Sequence, residues 1–109
     1  MGSASLLQQA KSLQSHAAEG ALLAEDAAAG RTTSVYTREH AADLAKAASG
    51  EAASLEKAKT DPALEPKLRR LRTLAARVAS ELGRLGDASR DERRRLGRAL
   101  NAAAQAGVH

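Results

Sequence analysis

The sequence predicts an all-α protein, an antiparallel up-down four-helix bundle with an Ala/Leu-rich core. The chain has 109 residues with 27 Ala and 15 Leu, and it lacks Ile, Phe, Trp and Cys. Helices favour Ala, Leu, Glu, Lys and Arg, whereas strands favour β-branched and aromatic residues. Apolar residues recur with helical spacing, and short connectors separate the periodic segments. Short connectors join antiparallel neighbours, so we predict one domain over residues 1–109.

The clearest pattern is a row of apolar residues between positions 64 and 85. Its members are three or four residues apart, so they share one stripe of a helix that a partner helix must cover. The row consists of Leu64, Leu68, Leu71, Ala75, Val78, Leu82 and Leu85. Asp61 and Pro62 form a start signal, and Pro66 indicates a short opening turn before the main helix. We predict a third helix over residues 63–85.

A similar row predicts the first helix, over residues 3–29. It consists of Leu6, Ala10, Leu13, Ala17, Gly20, Ala24 and Ala27. Small residues dominate its second half, which allows another helix to approach closely. Gly30 follows as the residue that ends the helix, because glycine adopts the left-handed conformation at least cost.

The second helix is predicted over residues 38–59. Thr37 is the expected N-cap, and Tyr36 and Ala41 form a hydrophobic staple around it. The buried row is Ala41, Leu44, Ala48, Ala52 and Leu55. Gly50 lies inside this helix and costs about 1 kcal/mol relative to Ala, so it marks a possible kink or break.

The fourth helix is predicted over residues 90–106. Ser89 and Glu92 have the spacing of a capping box, in which each side chain satisfies a free backbone N–H group. The expected buried face is Leu96, Leu100 and Ala103, flanked by Ala99. Gly107 is the expected stop.

Composition excludes several classes of function. With no Cys, the chain has no disulfide, thiol nucleophile or cysteine-based zinc site. No apolar run approaches the length of a membrane span, and residues 1–6 lack the features of a signal peptide. We therefore expect a cytoplasmic protein without membrane contact. The preference for Ala, and for Arg over Lys, is typical of GC-rich bacterial genomes.

Positive charge is concentrated in the second half of the chain. Residues 63–109 carry a net charge of +6, and residues 1–62 a net charge of −2. Arginines form rows on the outer faces of the third and fourth helices: Arg70, Arg77, Arg84, Arg94 and Arg98. These rows are either ordinary solvated faces or one surface that neutralises phosphates. The region has no aromatic side chains for stacking on bases, which weakens the nucleic-acid interpretation.

A second apolar stripe on the first helix suggests a protein interface. Leu7, Ala18, Leu22 and Ala29 point away from the predicted core, and Leu22 points almost opposite to it. An exposed row of this kind can bind a partner helix or a second copy of the chain. Tyr36 is the only aromatic residue. It either plugs the end of the bundle or serves in recognition as part of the same interface.

Catalytic and metal sites find little support in the sequence. His16 and Glu19 are three residues apart, as are His40 and Asp43, which is the spacing of di-metal sites in bundles. Their order is reversed from the usual Glu-x-x-His, and further inward Glu ligands are missing. No nucleophile is paired with a base. We therefore expect no catalytic residues, no metal and no cofactor. The leading function is a non-enzymatic protein that acts through protein–protein contacts, and the alternative is an accessory nucleic-acid-binding protein.

Overall fold

Four α-helices form the fold, which was obtained as a computed structural model that describes residues 1–106. The helices are α1 (Ser3–Ala28), α2 (Ser34–Lys57), α3 (Glu65–Leu85) and α4 (Arg90–Gln105). A short 3-10 turn, Pro62–Leu64, precedes α3, as the two prolines predict. The predicted all-α four-helix bundle is confirmed. It measures 47 × 21 × 17 Å, and the predicted stop at Gly107 lies outside the described residues.

Neighbouring helices run antiparallel around the bundle. α1 packs most extensively on α4, and α2 packs most extensively on α3. The side chain of Arg90, at the start of α4, donates to the carbonyl of Ala28 at the end of α1 (3.0 Å). Gln14, in the first half of α1, donates to the carbonyl of Ala106 beyond the end of α4. Since α4 has 16 residues and α1 has 26, α4 covers only the second half of α1.

The core therefore has two parts. The four-helix end is the cluster to which all four helices contribute. Its members are Ala17, Leu23, Ala24, Ala41, Leu44, Ala48, Val78, Leu82, Leu85, Leu96, Leu100 and Ala103. The three-helix end is built by α1, α2 and α3 alone. Its members are Leu6, Ala10, Leu13, Leu55, Leu68, Leu71 and Ala75. The leucines of α2 and α3 thus cover the first half of α1, which α4 does not reach.

The predicted apolar rows are largely the buried ones. Every member of the row in α3 is buried except Leu64, which is half-buried. In α1, Ala27 is only half-buried, whereas Leu23 and Ala28 belong to the core although the strict spacing omitted them. The buried face of α1 is wider than one row because α2, α3 and α4 all pack against it. Ala52 of α2 is likewise half-buried.

The start of α2 differs from the prediction. Thr33, not Thr37, is the N-cap, and its hydroxyl oxygen accepts a hydrogen bond from the backbone N–H of Tyr36 (3.1 Å). Thr37 is fully buried inside the helix, where its hydroxyl donates to the carbonyl of Thr33 (2.8 Å). Both threonines are good caps by residue type. The earlier one is used because Thr37 is needed as a core residue.

The remaining helix ends follow the predictions in part. Gly30 ends α1 with a positive φ of 74°, as predicted. Ser89 caps α4 by accepting from the N–H of Glu92 (3.2 Å), which is half of the predicted capping box; no return bond from the Glu92 side chain is present among the described residues. Asp61, the predicted cap before Pro62, makes no side-chain capping hydrogen bond. Gly50 does not break α2, which is continuous through that position.

Glycines set the spacing of α1 and α4 at the four-helix end. A Cβ atom added to Gly20 would collide with Leu82 and would lie 3.1 Å from a methyl group of Leu100. A Cβ atom added to Gly97 would lie 3.1 Å from the Cβ atom of Ala24. Both contacts are tighter than ordinary packing distances. Gly20 therefore permits α1 to lie close to both α3 and α4, and Gly97 permits α4 to lie close to α1.

Candidate functional site

The exposed apolar residue Leu22 lies between two surface depressions on the outer face of α1. Its side chain is 59% exposed. A single exposed leucine is common on protein surfaces, so what matters here is that it lies between two depressions. It lines a cleft between α1 and α2 and also a groove between α1 and α4. We call this region the Leu22 face. It comprises Leu22 and the residues that line the two depressions.

The α1–α2 cleft is open to solvent and has a volume of about 680 Å³. Leu22 and Leu23 of α1 line one side, and Tyr36 and His40 of α2 line the other. The linker after α1 closes one end. The remaining lining residues are Glu19, Asp26, Arg31, Thr32 and Thr33. An aromatic ring, an exposed leucine and two carboxylates therefore meet in one depression.

Polar contacts inside the cleft are incomplete. The rings of Tyr36 and His40 meet edge to face, with centroids 5.4 Å apart. The Nδ1 atom of His40 is buried and has no hydrogen-bond partner among the described residues. Asp26 pairs with Arg31 (2.9 Å), whereas Glu19 is exposed and makes no ion pair within residues 1–106. The cleft thus offers one carboxylate that no neighbouring cation neutralises.

The α1–α4 groove has a volume of about 480 Å³ and a different character. Ala18, Ala21 and Leu22 of α1 form an apolar floor. Arg94 and Arg98 of α4 stand along the other side. Both guanidinium groups are exposed at the surface. The groove therefore combines a small apolar strip with positive charge.

The structure brings together three of the four residues predicted as a protein interface. Ala18, Leu22 and Tyr36 all belong to the Leu22 face. Leu7 is 50% exposed but lines neither depression. It precedes Leu22 by 15 residues, so it lies roughly 22 Å away along α1. Tyr36 is 52% exposed, so it does not plug the end of the bundle.

The two predicted arginine rows border different grooves, one on each side of α4. Arg84 lines a groove between α3 and α4 together with Arg95, which the sequence interpretation did not single out. Arg70 and Arg77 precede Arg84 by two heptads and one heptad and are exposed. Arg94 and Arg98 line the groove on the opposite side of α4, next to α1. The two rows therefore do not share one groove.

Three other arginines hold helix ends, a role that the sequence interpretation missed. Arg72 of α3 donates to the carbonyls of Leu55 and Ala58 at the end of α2, each at 2.8 Å. Arg93 of α4 donates to two carbonyls at the end of α3 (3.2 and 2.8 Å), and Arg90 donates to the end of α1 (3.0 Å). These carbonyls lie at the ends of helices, where the regular intrahelical donors run out. Those of Leu55 and Leu85 also accept a long bond from the N–H of Ala58 and Ala88 (3.3 and 3.4 Å). Part of the arginine content therefore serves the fold.

A buried carboxyl group lies beside the α3–α4 groove. The residue is Glu81, which is only 8% exposed, and its Oε1 atom has no hydrogen-bond partner among the described residues. Burial raises the pKa of this carboxyl group, and the nearby charges of Arg77 and Arg84 oppose that rise. The group lines the groove with Arg84 and Glu92.

The histidine–carboxylate pairs considered from the sequence are not assembled. His16 bonds Glu51 of α2 (2.7 Å) rather than Glu19, and His40 packs against Tyr36. Within residues 1–106, no group of three or more His, Cys, Asp or Glu side chains is placed to hold a metal ion. Nor does this part of the chain contain a helix that is long and apolar enough to cross a lipid bilayer.

Comparisons with known proteins add no relative to these observations. No protein-family model, no curated protein and no solved structure matches the chain.

Proposed function

We propose that this protein is a non-catalytic helical bundle that acts through protein–protein contacts at the Leu22 face. The observation that supports this most is the 59% exposure of Leu22 between two depressions, with Tyr36 across one of them. Interfaces characteristically combine an apolar centre and an aromatic residue with a polar rim. The Leu22 face has all three, because Glu19, Arg94 and Arg98 surround its apolar residues.

The residues beneath the face make it a rigid platform. Ala17 and Ala24 of α1 are fully buried directly under it, and Gly20 packs against α4. A surface supported by packed helices loses little entropy when a partner binds. The rigid support favours a preformed contact surface, and the Ala- and Arg-rich composition favours a bacterial source. A cytoplasmic location is part of the same proposal.

Site-specific photo-crosslinking tests the proposal. A benzoylphenylalanine residue at position 22 should give crosslinked products in living cells, because the Leu22 side chain would lie within an interface. Val35 provides the matched control position. It is also exposed (62%) and helical, but it lines neither depression.

Two outcomes would count against the proposal. Equal crosslinking from positions 22 and 35 would show only random collisions. Absence of crosslinks at position 22, with normal folding by circular dichroism, would mean that nothing docks on the Leu22 face.

A second candidate function is weak, sequence-independent binding of nucleic acid through the outer face of α3. The observation that favours it is that Arg70, Arg77 and Arg84 are exposed and make no ion pair among the described residues. They repeat every seven residues, so they form one row. Arginine rows of this kind can neutralise backbone phosphates.

Salt dependence separates the two candidates. Phosphate contacts release counterions, so fluorescence anisotropy with a mixed-sequence duplex should show binding at about 50 mM salt that is largely lost at about 200 mM. The variant Arg70→Gln/Arg77→Gln should bind less tightly, whereas Lys46→Gln on α2 should not change the affinity. If the wild-type chain does not bind the duplex at the lower salt concentration, this second function is excluded.

A further inference from the structure

We infer that the occupant of the Leu22 face is a second copy of this chain, docked about a twofold axis that runs along α1. This inference rests on the proposed function and specifies its partner. It follows from the way in which charge is distributed on the two sides of Leu22.

The two sides of the Leu22 face differ in charge. On the α2 side are the carboxylates of Glu19 and Asp26, and on the α4 side are the guanidinium groups of Arg94 and Arg98. Each side also has one residue of the opposite sign. Arg31 lies on the mainly negative α2 side, and Glu25 lies on the mainly positive α4 side.

Local pairing leaves two of these charges uncompensated. Asp26 pairs with Arg31 (2.9 Å), the same arginine lies 4.0 Å from Glu25, and Arg94 lies 3.8 Å from Asp91. Glu19 and Arg98 make no ion pair within residues 1–106. The α2 side therefore has one free negative charge, that of Glu19. On the α4 side Arg98 is free, whereas Arg93, which also lines the groove, is held by the carbonyls of Leu85 and Gly86.

The direction of the twofold axis decides which sides meet. When the axis runs along α1, the two α1 helices are parallel, and the α2 side of each copy faces the α4 side of the other. An axis perpendicular to α1 would instead place the α2 side of each copy against the α2 side of the other, so that the side with Glu19 and Asp26 would face its own like. Complementary charges fix the orientation of an interface, so the axis along α1 is the one that this surface favours.

The free charges also lie at matching heights. α4 runs antiparallel to α1, with Arg90 bonded to Ala28 and Gln14 bonded to Ala106. Arg98 therefore lies about level with the middle of the α1–α4 groove. Measured along α1, that level is two or three residues from Glu19, or roughly 4 Å. In the twofold dimer, Glu19 of each copy would reach Arg98 of the other, and two symmetry-related ion pairs would flank the centre.

The centre itself is apolar and small. Leu22 would pack against Leu22 of the second copy, and Ala18, one turn away, allows the two helix axes to approach closely. Lys11 lies further along the same face and would repel its counterpart in strictly parallel helices. A crossing of about 20–50° at Leu22 moves the two Lys11 residues apart.

Charge reversal with rescue tests the inference. We expect sedimentation equilibrium of the wild-type chain to show a monomer–dimer equilibrium that weakens as salt is added. Glu19→Arg and Arg98→Glu should each weaken dimerisation by about tenfold or more, because each replaces two ion pairs by like charges. The double variant Glu19→Arg/Arg98→Glu should restore dimerisation, since the reversed charges again face each other. Glu39→Arg and Arg69→Glu are matched controls, because both residues are exposed and lie outside the face.

The outcomes separate this inference from the proposed function. A wild-type chain that is monomeric at every concentration overturns the inference, and so does a double variant that is no better than the single ones. If the chain is monomeric but position 22 still crosslinks to a different protein, the contact function holds and only the identity of the partner is wrong. If neither dimerisation nor crosslinking occurs, both fail.

Discussion

The two ends of the bundle close their cores with different side chains on α1. At the three-helix end, large residues meet: Leu13 of α1, Leu55 of α2 and Leu68 of α3 are all fully buried. At the four-helix end, most of the buried face of α1 consists of small residues, Ala17, Gly20 and Ala24. There α4 lies close against α1. Where a fourth helix is present, small residues let it approach. Where it is absent, leucines must fill the space.

The largest expected effect comes from removing a leucine at the three-helix end. Leu71→Ala should lower the free energy of unfolding by about 3 kcal/mol, because truncating a fully buried leucine leaves a cavity that the helices cannot fully close. Urea denaturation monitored by circular dichroism measures this. The control Leu22→Ala should change stability by less than about 0.5 kcal/mol, since Leu22 is mostly exposed. Equal losses for the two variants would contradict this description of the core.

The next effect is overpacking at the four-helix end. Gly20→Val should cost about 2 kcal/mol in the same assay, because the new side chain meets Leu82 and Leu100. In a Leu82→Ala background, Gly20→Ala should become neutral or stabilising, since the methyl group with which a Cβ atom collides is gone and only the 3.1 Å contact with Leu100 remains. Gly50→Ala should raise stability by up to about 1 kcal/mol, because a Cβ atom there meets nothing within 4 Å. If Gly20→Val is tolerated without loss, Gly20 does not set how closely α1 lies against α3 and α4.

Removal of the arginine contacts at the helix termini should lower the free energy of unfolding by a smaller amount, both at the three-helix end and at the four-helix end. Arg72→Met and Arg93→Met should each cost about 1–2 kcal/mol, because each leaves two terminal carbonyls without their arginine donor. Arg69→Met is the control, since its side chain is exposed and makes no hydrogen bond among the described residues. Thermal melts of the three variants make the comparison, and a loss as large for Arg69→Met would show that only charge matters.

The smallest effect concerns pH. The pKa of Glu81 is raised in the folded chain, so folding is favoured while this carboxyl group is protonated. Its contribution is fully present below the ordinary glutamate pKa and is lost as pH rises through the raised value. Glu81→Gln should therefore be more stable than wild type at neutral pH, and the difference should shrink as pH falls. A difference that is constant from acidic to neutral pH would show that Glu81 does not titrate in this way.

Local patterns predicted the parts of the fold that depend on one helix at a time. The spacing of Leu68 to Leu85, the glycine at position 30 and the serine cap at position 89 all act within a few residues, so the sequence reveals them. The N-cap of α2 was misplaced by four residues because two threonines were equally suitable by type. Only the tertiary packing that buries Thr37 distinguishes them.

The candidate site was predictable only in part. The angular position of Leu22 on α1 showed that it would be exposed. Its position beside Tyr36 depends on how α1 and α2 pack, and its position beside Arg98 depends on how α4 covers α1. The arginine contacts at helix ends also join different helices, so a pattern within one helix does not reveal them. One available signal was that no glycine follows α2 at Ala58, so its terminal carbonyls needed donors from elsewhere.

The contacts of Arg72, Arg90 and Arg93 have a consequence for how the chain opens. Each ties the end of one helix to a residue of another helix, so these ends cannot fray without breaking a contact between helices. Backbone amides near the ends of α1, α2 and α3 should therefore exchange with deuterium at rates close to those of the central turns. Detachment of α4 would release the ends of both α1 and α3 at once. The bundle should accordingly open as a single cooperative unit and not helix by helix.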